Sequence, residues 1–283
     1  MKDFEAYEPE APLSDAERDD LLERVAEDGY AVLPHELPGW MADAAERELE
    51  RLCAEELEKN PDRKKIGTDN LVDKAPIFRR LMMYEPALQL AYDVFGPMFH
   101  VGQSRLKASI RGDNAINWHS DGPVNLPRVE GRNGLHTLRF GYYLSDLIDE
   151  GSGSLEVIRS SHLTPAIHGS DSVKFREQFR PEDFGEDYVQ LRVKRRTVAV
   201  INQAIYHRAE ENQTDHMRKA LYIQYCPTWM YPWDRHEPTE ESLAGAGPVE
   251  RYLLGERRDP KRRMQSVQGD YERMKAYARE EKK

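Results

Sequence analysis

The chain contains 283 residues, of which 39% are hydrophobic and 33% are charged. This is a globular composition, and it excludes collagen-like and low-complexity proteins. No apolar run approaches the roughly 18 residues of a transmembrane helix, so we expect no association with a membrane. The net charge of −10 disfavours nucleic-acid binding, because an acidic protein repels a polyanion.

The two cysteines, Cys53 and Cys226, lie far apart in the sequence. This spacing excludes a disulfide framework or a thiolate zinc site, and the N-terminus lacks the apolar stretch of a signal peptide. We therefore expect a cytoplasmic protein. The basic run at 257–263 includes an acidic residue, and we interpret it as a solvated segment beside a helix. The sequence does not indicate an oligomeric state.

The first third of the chain has the pattern of helices. Ser14 and Glu17 have the spacing of a capping box, and apolar residues follow at helical intervals. Gly29 is suited to end this helix, because glycine readily adopts the left-handed conformation found at helix C-termini. Two further helices are predicted, over 40–59 and 87–95.

The middle of the chain changes to the pattern of strands. Alternating or β-branched segments are found at 99–110, 138–144, 197–201 and 221–225. Turns rich in glycine and asparagine separate them, so a sandwich or a jelly-roll barrel is favoured over βαβ units. No repeat or linker divides the chain. We predict one α+β domain over 1–283, with a mainly β core, N-terminal helices and a charged helical extension over 238–283.

The strongest chemical pattern is an HxD sequence. His119 and Asp121 are two residues apart, so on an extended strand their side chains point the same way and can share one cation. A third ligand from a distant strand would complete the two-His, one-carboxylate triad of non-haem Fe(II) oxygenases. With 51 acidic residues and nine histidines, one or two such pairs arise by chance. A structural histidine is therefore the alternative at this point.

A second pattern strengthens the metal hypothesis. His207 closely follows the strand at 197–201, and Arg218 comes eleven residues later. The iron triad leaves positions for a bidentate 2-oxo acid and dioxygen, and the far carboxylate of 2-oxoglutarate suits the fork of an arginine. His100 and Arg111 have the same spacing. They precede the HxD sequence, however, which is the wrong order for a distal ligand.

Four blocks of the sequence resemble, in the correct order, the phytanoyl-CoA dioxygenase-like family of Fe(II)/2-oxoglutarate-dependent oxygenases. The segment DGYAVLP at 28–34 is similar to the family's DGYVVLP, and WHSD at 118–121 is similar to its WHxD. EGSGSLEVIRSSH at 150–162 stands where the family has NGxLxVxPGSH. His207, Asn212, Thr214 and Arg218 are similar to HxSxxNxSxxxR, with Ala209 in place of the first serine.

The resemblance covers about 28–225 and implies a double-stranded β-helix core, a jelly-roll, cupin-like barrel with flanking N-terminal and C-terminal helices. It also implies a catalytic Fe(II) held by His119, Asp121 and His207, with 2-oxoglutarate as co-substrate on Arg218 and O2 as oxidant. Relatives that halogenate carry a small residue instead of the acidic ligand. The carboxylate of Asp121 therefore favours hydroxylation, or desaturation or ring closure, over chlorination.

Three further residues are predicted to bind the co-substrate. A family contact lies on the strand eleven residues before Gly153, which points to Tyr142, although packing between strands is an equal alternative for its ring. Gln103 and Lys107 share one face of the strand that leads to the metal loop. They line the pocket or belong to the ordinary barrel surface.

Other residues receive weaker assignments. His162 is interpreted as a structural hydrogen-bonding residue. Three histidines are expected to be exposed: His136, His168 and His216. Trp229 and Trp233, just after the last core strand, either cover the core or form part of a lid or subunit contact.

The sequence therefore predicts an enzyme that hydroxylates a C–H bond of a small molecule, a secondary or anionic metabolite, and converts 2-oxoglutarate to succinate and CO2. Four basic residues on the strands suit an anionic substrate, unless they lie on the barrel exterior: Arg105, Lys107, Arg111 and Arg139. The loop 123–135 is the expected specificity element. The alternatives are a redox-neutral, metal-dependent isomerase or hydrolase, and a metal-free barrel that only binds ligands.

Overall fold

The computed structural model describes residues 10–113, 117–121, 135–163, 180–234 and 238–256. Most of the predicted specificity loop, His168 and the basic run at 257–263 lie outside these residues. Among the described helices, none is long and apolar enough to cross a membrane.

Four helices precede most of the strands. Their bounds are α1 Asp15–Glu27, α2 Gly39–Lys59, α3 Pro76–Met82 and α4 Glu85–Phe95. The predicted capping box is present at the start of α1, where the Ser14 hydroxyl and the Glu17 carboxylate bond each other's backbone N–H. Gly29 has a φ of +88° just after this helix, as the sequence predicts. The short helix α3 is not predicted by the sequence.

Within the described residues, nine strands form two sheets in which every pairing is antiparallel. The large sheet has the order β1-β7-β4-β9-β3-β2 and the small sheet the order β6-β5-β8. The strands are β1 Tyr30–Val32, β2 Lys65–Asp69, β3 Phe99–Ser109, β4 Leu138–Tyr143, β5 Leu155–Ile158, β6 Tyr188–Leu191, β7 Val198–Asn202, β8 Tyr206–Ala209 and β9 Arg218–Pro227.

The two faces of the large sheet have different roles. One face packs against the helices, with Leu138, Phe140 and Tyr142 of β4 in this larger apolar core. The other face turns towards the small sheet, and Tyr143 of β4 joins a second core there with Leu155 of β5. The alternation of side chains along each strand therefore separates a helix-facing core from an interior between the sheets.

This architecture confirms the predicted α+β fold with a mainly β core. The long predicted helices and strands are found near their expected positions. The short strands β1, β2, β5, β6 and β8 lie outside the four predicted strand segments. At the C-terminal end, the charged extension contains two short helices within the described residues, α5 Glu240–Leu243 and α6 Pro248–Leu253. The rest of it, 257–283, lies outside them.

Candidate active site

Two histidines from distant parts of the chain meet through backbone pairing. His119 and His207 form an antiparallel bridge. The His119 N–H donates to the His207 carbonyl at 3.1 Å, and the reverse bond is 2.8 Å long. The two imidazole centroids are 4.4 Å apart. The main chain therefore places both predicted ligands side by side at the edge of β8.

A hydrogen bond at Nδ1 of each histidine determines which of its two ring nitrogens carries the proton. Nδ1 of His119 is 2.8 Å from the Asn117 carbonyl, and Nδ1 of His207 is 2.9 Å from the Ile205 carbonyl. Because a carbonyl oxygen only accepts, each Nδ1 carries the proton in these bonds. Each Nε2 is then left with its lone pair, which is the state that a metal-binding imidazole requires.

Asp121 completes the group. Its backbone N–H donates to the Gln203 carbonyl at 2.8 Å, which fixes the segment after His119. Oδ1 of Asp121 lies 3.5 Å from Nε2 of His119, and Oδ2 lies 3.7 Å from Nε2 of His207. The candidate ligand atoms of the three residues all lie within 4.8 Å of one another. Two imidazoles and one carboxylate on one side suit Fe(II), so these residues fit the predicted metal.

The electrostatics keep His207 and Asp121 in their ligand forms. Burial and the neighbouring His119 lower the pKa of His207 to about 3, so this imidazole is neutral at physiological pH. Burial opposes ionisation of Asp121. Arg139 and the two histidines outweigh that effect and hold the pKa of this carboxyl well below its usual range.

The residues next to the two histidines pack on the opposite face of the small sheet. Trp118 is buried, and its ring centroid lies 6.2 Å from that of Tyr188 and 5.1 Å from the Arg208 guanidinium. Arg208 also forms an ion pair with the buried Glu156 of β5. Because neighbouring residues of a strand point to opposite faces, this outer cluster holds both imidazoles inward. It explains the tryptophan of the WHxD block.

A pocket lies between the two sheets beside the candidate ligands. Its walls carry three cationic side chains, Lys107, Arg139 and Arg218. The remaining lining residues are His119, Leu155, Ile201, Gln203, His207, Ala209 and Tyr222. The predicted serine-to-alanine departure at position 209 therefore removes a hydroxyl from the pocket wall.

Arg218 is at the first position of β9 and is buried. Its guanidinium donates to the Gly153 carbonyl at 2.5 Å, to the Lys107 carbonyl at 3.2 Å and to the Tyr222 hydroxyl at 2.9 Å. Gly153 has a φ of +80°, and a Cβ there would lie 2.7 Å from Cδ of Arg218. Only glycine accommodates both the positive φ and the close approach of Arg218, which explains the glycine at this position of the segment 150–162.

The turn before Arg218 depends on Asn212. This side chain is buried, and its amide donates to the Ser109 carbonyl at 2.9 Å and to the His216 carbonyl at 2.8 Å. Its carbonyl oxygen accepts from the Thr214 hydroxyl at 2.8 Å. The two polar residues of the fourth block therefore shape the turn between β8 and β9, which sets where Arg218 enters the sheet.

The assignment of Tyr142 to the co-substrate is wrong. Its fully buried ring packs edge-on against Tyr84 at 5.9 Å, and its hydroxyl donates to the Leu81 carbonyl on the helix side. The next residue, Tyr143, faces the interior. Its hydroxyl lies near Tyr222 and Arg218, and burial together with Tyr222 raises its pKa. A shift of one residue along a strand exchanges its two faces, which places Tyr142 and Tyr143 on opposite sides of the sheet.

The other two residues predicted to bind the co-substrate, Lys107 and Gln103, have different positions relative to the pocket. Lys107 lines the pocket, and its ammonium lies 5.8 Å from the centre of the Tyr222 ring. Burial and the nearby Arg139 lower the pKa of Lys107 to about 8. Gln103 is not among the pocket-lining residues that the structure describes. Its amide oxygen accepts from Arg139 at 3.1 Å, so it supports that side chain instead.

The remaining basic residues lie further out. Arg105 pairs with Asp69 at 2.5 Å, and Arg111 pairs with Asp215 at 2.6 Å on the exposed surface. Among the described residues that line the pocket are Lys107 and Arg139 but neither Arg105 nor Arg111, so the expectation of cations near the pocket is confirmed for the first two and wrong for the other two.

The predictions for the other histidines and for the two tryptophans are confirmed in some cases and wrong in others. His162 has the structural role expected, because its Nε2 bonds the Ala26 carbonyl at 2.9 Å. His216 is exposed as predicted, whereas His136 is half-buried and lies 6.3 Å from the Trp229 ring. Trp229 and Trp233 are 62% and 47% exposed. They do not cover the core.

The comparisons with known proteins agree with this site. The chain matches the phytanoyl-CoA dioxygenase (PhyH) family over residues 25–220. The chain belongs to this family. PhyH enzymes are non-haem oxygenases that use Fe(II), 2-oxoglutarate and O2, which confirms the predicted family and cofactors. The matched range is close to residues 28–225, which the resemblance in the sequence covers.

Solved structures share the fold of this PhyH-family chain at low sequence identity. HygX from Streptomyces hygroscopicus, with nickel, 2-oxoglutarate and hygromycin B bound, is 18% identical; the match covers 78% of this chain and 90% of HygX, with a TM-score of 0.61. The epimerase SnoN, in complex with Fe3+, alpha ketoglutarate and nogalamycin RO, is 16% identical over 76% of this chain and 85% of SnoN, with a TM-score of 0.60.

AviO1 from Streptomyces viridochromogenes Tue57 is 21% identical over 76% of this chain and 96% of AviO1, with a TM-score of 0.56. A search of curated proteins finds no match. The structural likenesses show that the fold is shared with these proteins, and they confirm the predicted barrel.

Proposed function

We propose that this protein is an Fe(II)/2-oxoglutarate-dependent hydroxylase that acts on a small anionic molecule. One observation carries the proposal: the ligand atoms of His119, Asp121 and His207 converge beside a pocket that also contains the buried Arg218. A metal-free binding protein has no need of a pair of imidazoles oriented next to a carboxylate. A redox-neutral isomerase has no need of the arginine.

When bound, Fe(II) supplies the chemistry that couples decarboxylation of 2-oxoglutarate to oxidation of a C–H bond. The side chains of the protein would hold the metal and the co-substrate in position. His119 and His207 present lone pairs through their backbone-fixed tautomers. Arg218 has five N–H groups, of which three bond protein acceptors within the described residues, so two are available to a carboxylate. Tyr143 and Tyr222 lie beside that guanidinium. We assign the far carboxylate of 2-oxoglutarate to this corner.

Lys107 is the second cation proposed for the co-substrate. It lies on the same wall as Arg218, and both Lys107 and Arg139 face the Tyr222 ring, at 5.8 Å and 5.9 Å. Its ammonium therefore borders the path from the metal ligands to Arg218. An ammonium in this position attracts the carboxylates of 2-oxoglutarate wherever they bind along that wall.

The charge of the pocket supports an anionic primary substrate. Among the described residues, the pocket and the adjoining ligand group contain three cationic side chains and one carboxylate, that of Asp121. Their net charge is therefore +2. Fe(II) and the 2-oxoglutarate dianion carry equal and opposite charges, so loading the site does not remove the excess. A substrate with a carboxylate, sulfate or phosphate group would neutralise it in a place where water is partly excluded.

The reaction outcome follows from the acidic ligand. Asp121 occupies the position that a halide would need, and its negative charge repels a second anion. We therefore propose hydroxylation. Epimerisation is the second candidate, because SnoN has the same fold and is an epimerase.

The test is a screen of protein loaded anaerobically with Fe(II) and 2-oxoglutarate. On exposure to O2, succinate formation should rise with anionic metabolites and not with their neutral esters or amides, and the product should gain one oxygen atom. An unchanged product mass with inverted stereochemistry would indicate an epimerase. A chlorinated main product in excess chloride would contradict the argument from Asp121, and succinate formation only with neutral compounds would contradict the substrate class.

We also propose that the chain is a single domain acting in the cytoplasm. Both cysteines are buried and free, as suits a reducing compartment. A single cooperative unfolding transition followed by two probes would support one domain, and two separated transitions would contradict it.

A further inference from the structure

Arg139 has its hydrogen-bonding groups engaged by the protein itself. This side chain is 7% exposed and projects from β4 into the interior. Nη1 donates to Oδ2 of Asp121 at 2.7 Å, and Nη2 donates to Oε1 of Gln103 at 3.1 Å. Oε1 of Gln224 lies 3.5 Å from Nη2. With its amide oriented to match its neighbours, Gln203 accepts from Nε of Arg139 at 2.6 Å.

These contacts come from four separate segments. Gln103 lies on β3, Gln224 on β9, and Gln203 directly after β7, while Asp121 lies in the segment after His119. Three amides and one carboxylate therefore surround a single guanidinium. A side chain whose donors are used in this way is poorly placed to bind a substrate anion. It is well placed to hold the one charged acceptor, Asp121.

The two carboxylate oxygens of Asp121 have different neighbours. Oδ2 accepts the short bond from Arg139, whereas Oδ1 faces Nε2 of His119 at 3.5 Å and makes no hydrogen bond within the described residues. We infer that Arg139 is a positioning residue that fixes Asp121 as a one-oxygen metal ligand. The inference rests on the proposed function, because it presumes a metal on His119, Asp121 and His207.

The chemistry of arginine explains why this residue type is needed. Its planar fork reaches the carboxylate and the glutamines in one plane, whereas a lysine ammonium acts as a single point and cannot bridge them. Partners that orient a metal ligand from behind commonly change metal affinity or activity 10- to 100-fold when they are removed. Loss of Arg139 frees Oδ2, so the carboxylate can rotate or bind the metal through both oxygens.

The experiment compares Co(II) binding in place of iron. The visible absorption and the dissociation constant for Co(II) are measured in the wild type, in Arg139→Lys and in Arg139→Gln. Arg105→Gln serves as the matched control, because Arg105 is a strand arginine that pairs with Asp69 outside the pocket. Melting temperatures without metal are recorded for each variant, since a purely structural role for Arg139 would affect only these.

We expect both Arg139 variants to weaken Co(II) binding about 10- to 100-fold. Their absorption spectrum should also change, because a rotated or two-oxygen carboxylate would alter the set of ligands around the metal. Arg105→Gln should bind Co(II) as the wild type does. Arg139 variants with wild-type affinity and an unchanged spectrum, whatever their melting temperature, would overturn the inference.

If the Arg139 variants do not fold, Gln103→Met decides the question. It removes one support of the guanidinium and leaves Asp121 and Arg139 in place. A weaker, altered Co(II) complex supports positioning, and an unchanged one contradicts it. A wild-type protein that binds no Co(II) and forms no succinate would instead refute the proposed function, so the two failures are distinguishable.

Discussion

Replacing Arg218 with lysine tests how the co-substrate is held. The substitution keeps a positive charge but loses the planar fork, so a carboxylate can no longer be bound by two parallel N–H groups. The buried side chain also loses its bonds to the Gly153 carbonyl and to the Tyr222 hydroxyl, which fix its direction. The perturbation is therefore local to one corner of the pocket.

The expected magnitude follows from one lost charge-assisted hydrogen bond. Such a bond contributes about 1.5–3 kcal/mol, which corresponds to a change of roughly 10- to 150-fold in an equilibrium constant. In Arg218→Lys the 2-oxoglutarate concentration that gives half-maximal succinate formation should rise by that factor. The requirement for the primary substrate should change much less, because Arg218 is proposed to bind only the co-substrate.

The control is Arg111→Lys, since Arg111 is exposed and its partner Asp215 lies on the surface. It should leave both concentration dependences unaltered. A 2-oxoglutarate dependence in Arg218→Lys that equals that of the wild type would mean that the carboxylate binds elsewhere. An equal rise for both substrates would indicate a general loss of structure rather than a lost co-substrate contact.

Two further predictions concern Gly153 and Lys107. Gly153→Ala should cost about 1–2 kcal/mol of stability, because its φ is +80°, and should also weaken 2-oxoglutarate binding, because the new Cβ would press on Arg218. Gly112 has a φ of +78°, and no atom of the described residues lies within 4 Å of the position a Cβ would take. Gly112→Ala should therefore lose similar stability in chemical denaturation and keep the wild-type 2-oxoglutarate dependence. The reasoning fails if both variants behave alike. Because Lys107 loses its proton near pH 8, 2-oxoglutarate binding should weaken as the pH rises through this value. This pH dependence, measured by anaerobic titration, should disappear in Lys107→Met, and an identical profile in that variant would contradict the role of its charge.

The sequence was sufficient to predict the parts of the site that depend on local spacing. The HxD pair needs only the alternation of a strand, and the order of His207 and Arg218 follows from the chain itself. The capping box of Ser14 and the long strands were predicted on the same local basis. The structure contains the capping box and the long strands, and it brings the possible ligand atoms of His119, Asp121 and His207 within 4.8 Å of one another.

The errors come from contacts between strands that are distant in sequence. Tyr142 and Tyr143 differ only in which face of β4 they occupy, and that face is fixed by pairing with β7 and β9 rather than by local pattern. The environment of Arg139 requires side chains from several strands at once. The sequence places the charge of Arg139 on a strand near the pocket, but no sequence pattern indicates that Asp121 is its partner.

Stoichiometric Fe(II) binding tests the central claim most directly. Protein purified without oxygen is titrated with Fe(II), and the wild type should bind one ion per chain. His119→Ala and His207→Ala should each lose this binding while keeping the wild-type fold by circular dichroism. His216→Ala, which changes an exposed histidine, should bind iron as the wild type does. Retention of a full equivalent of Fe(II) in either His119→Ala or His207→Ala would contradict the iron site on which the proposed function depends.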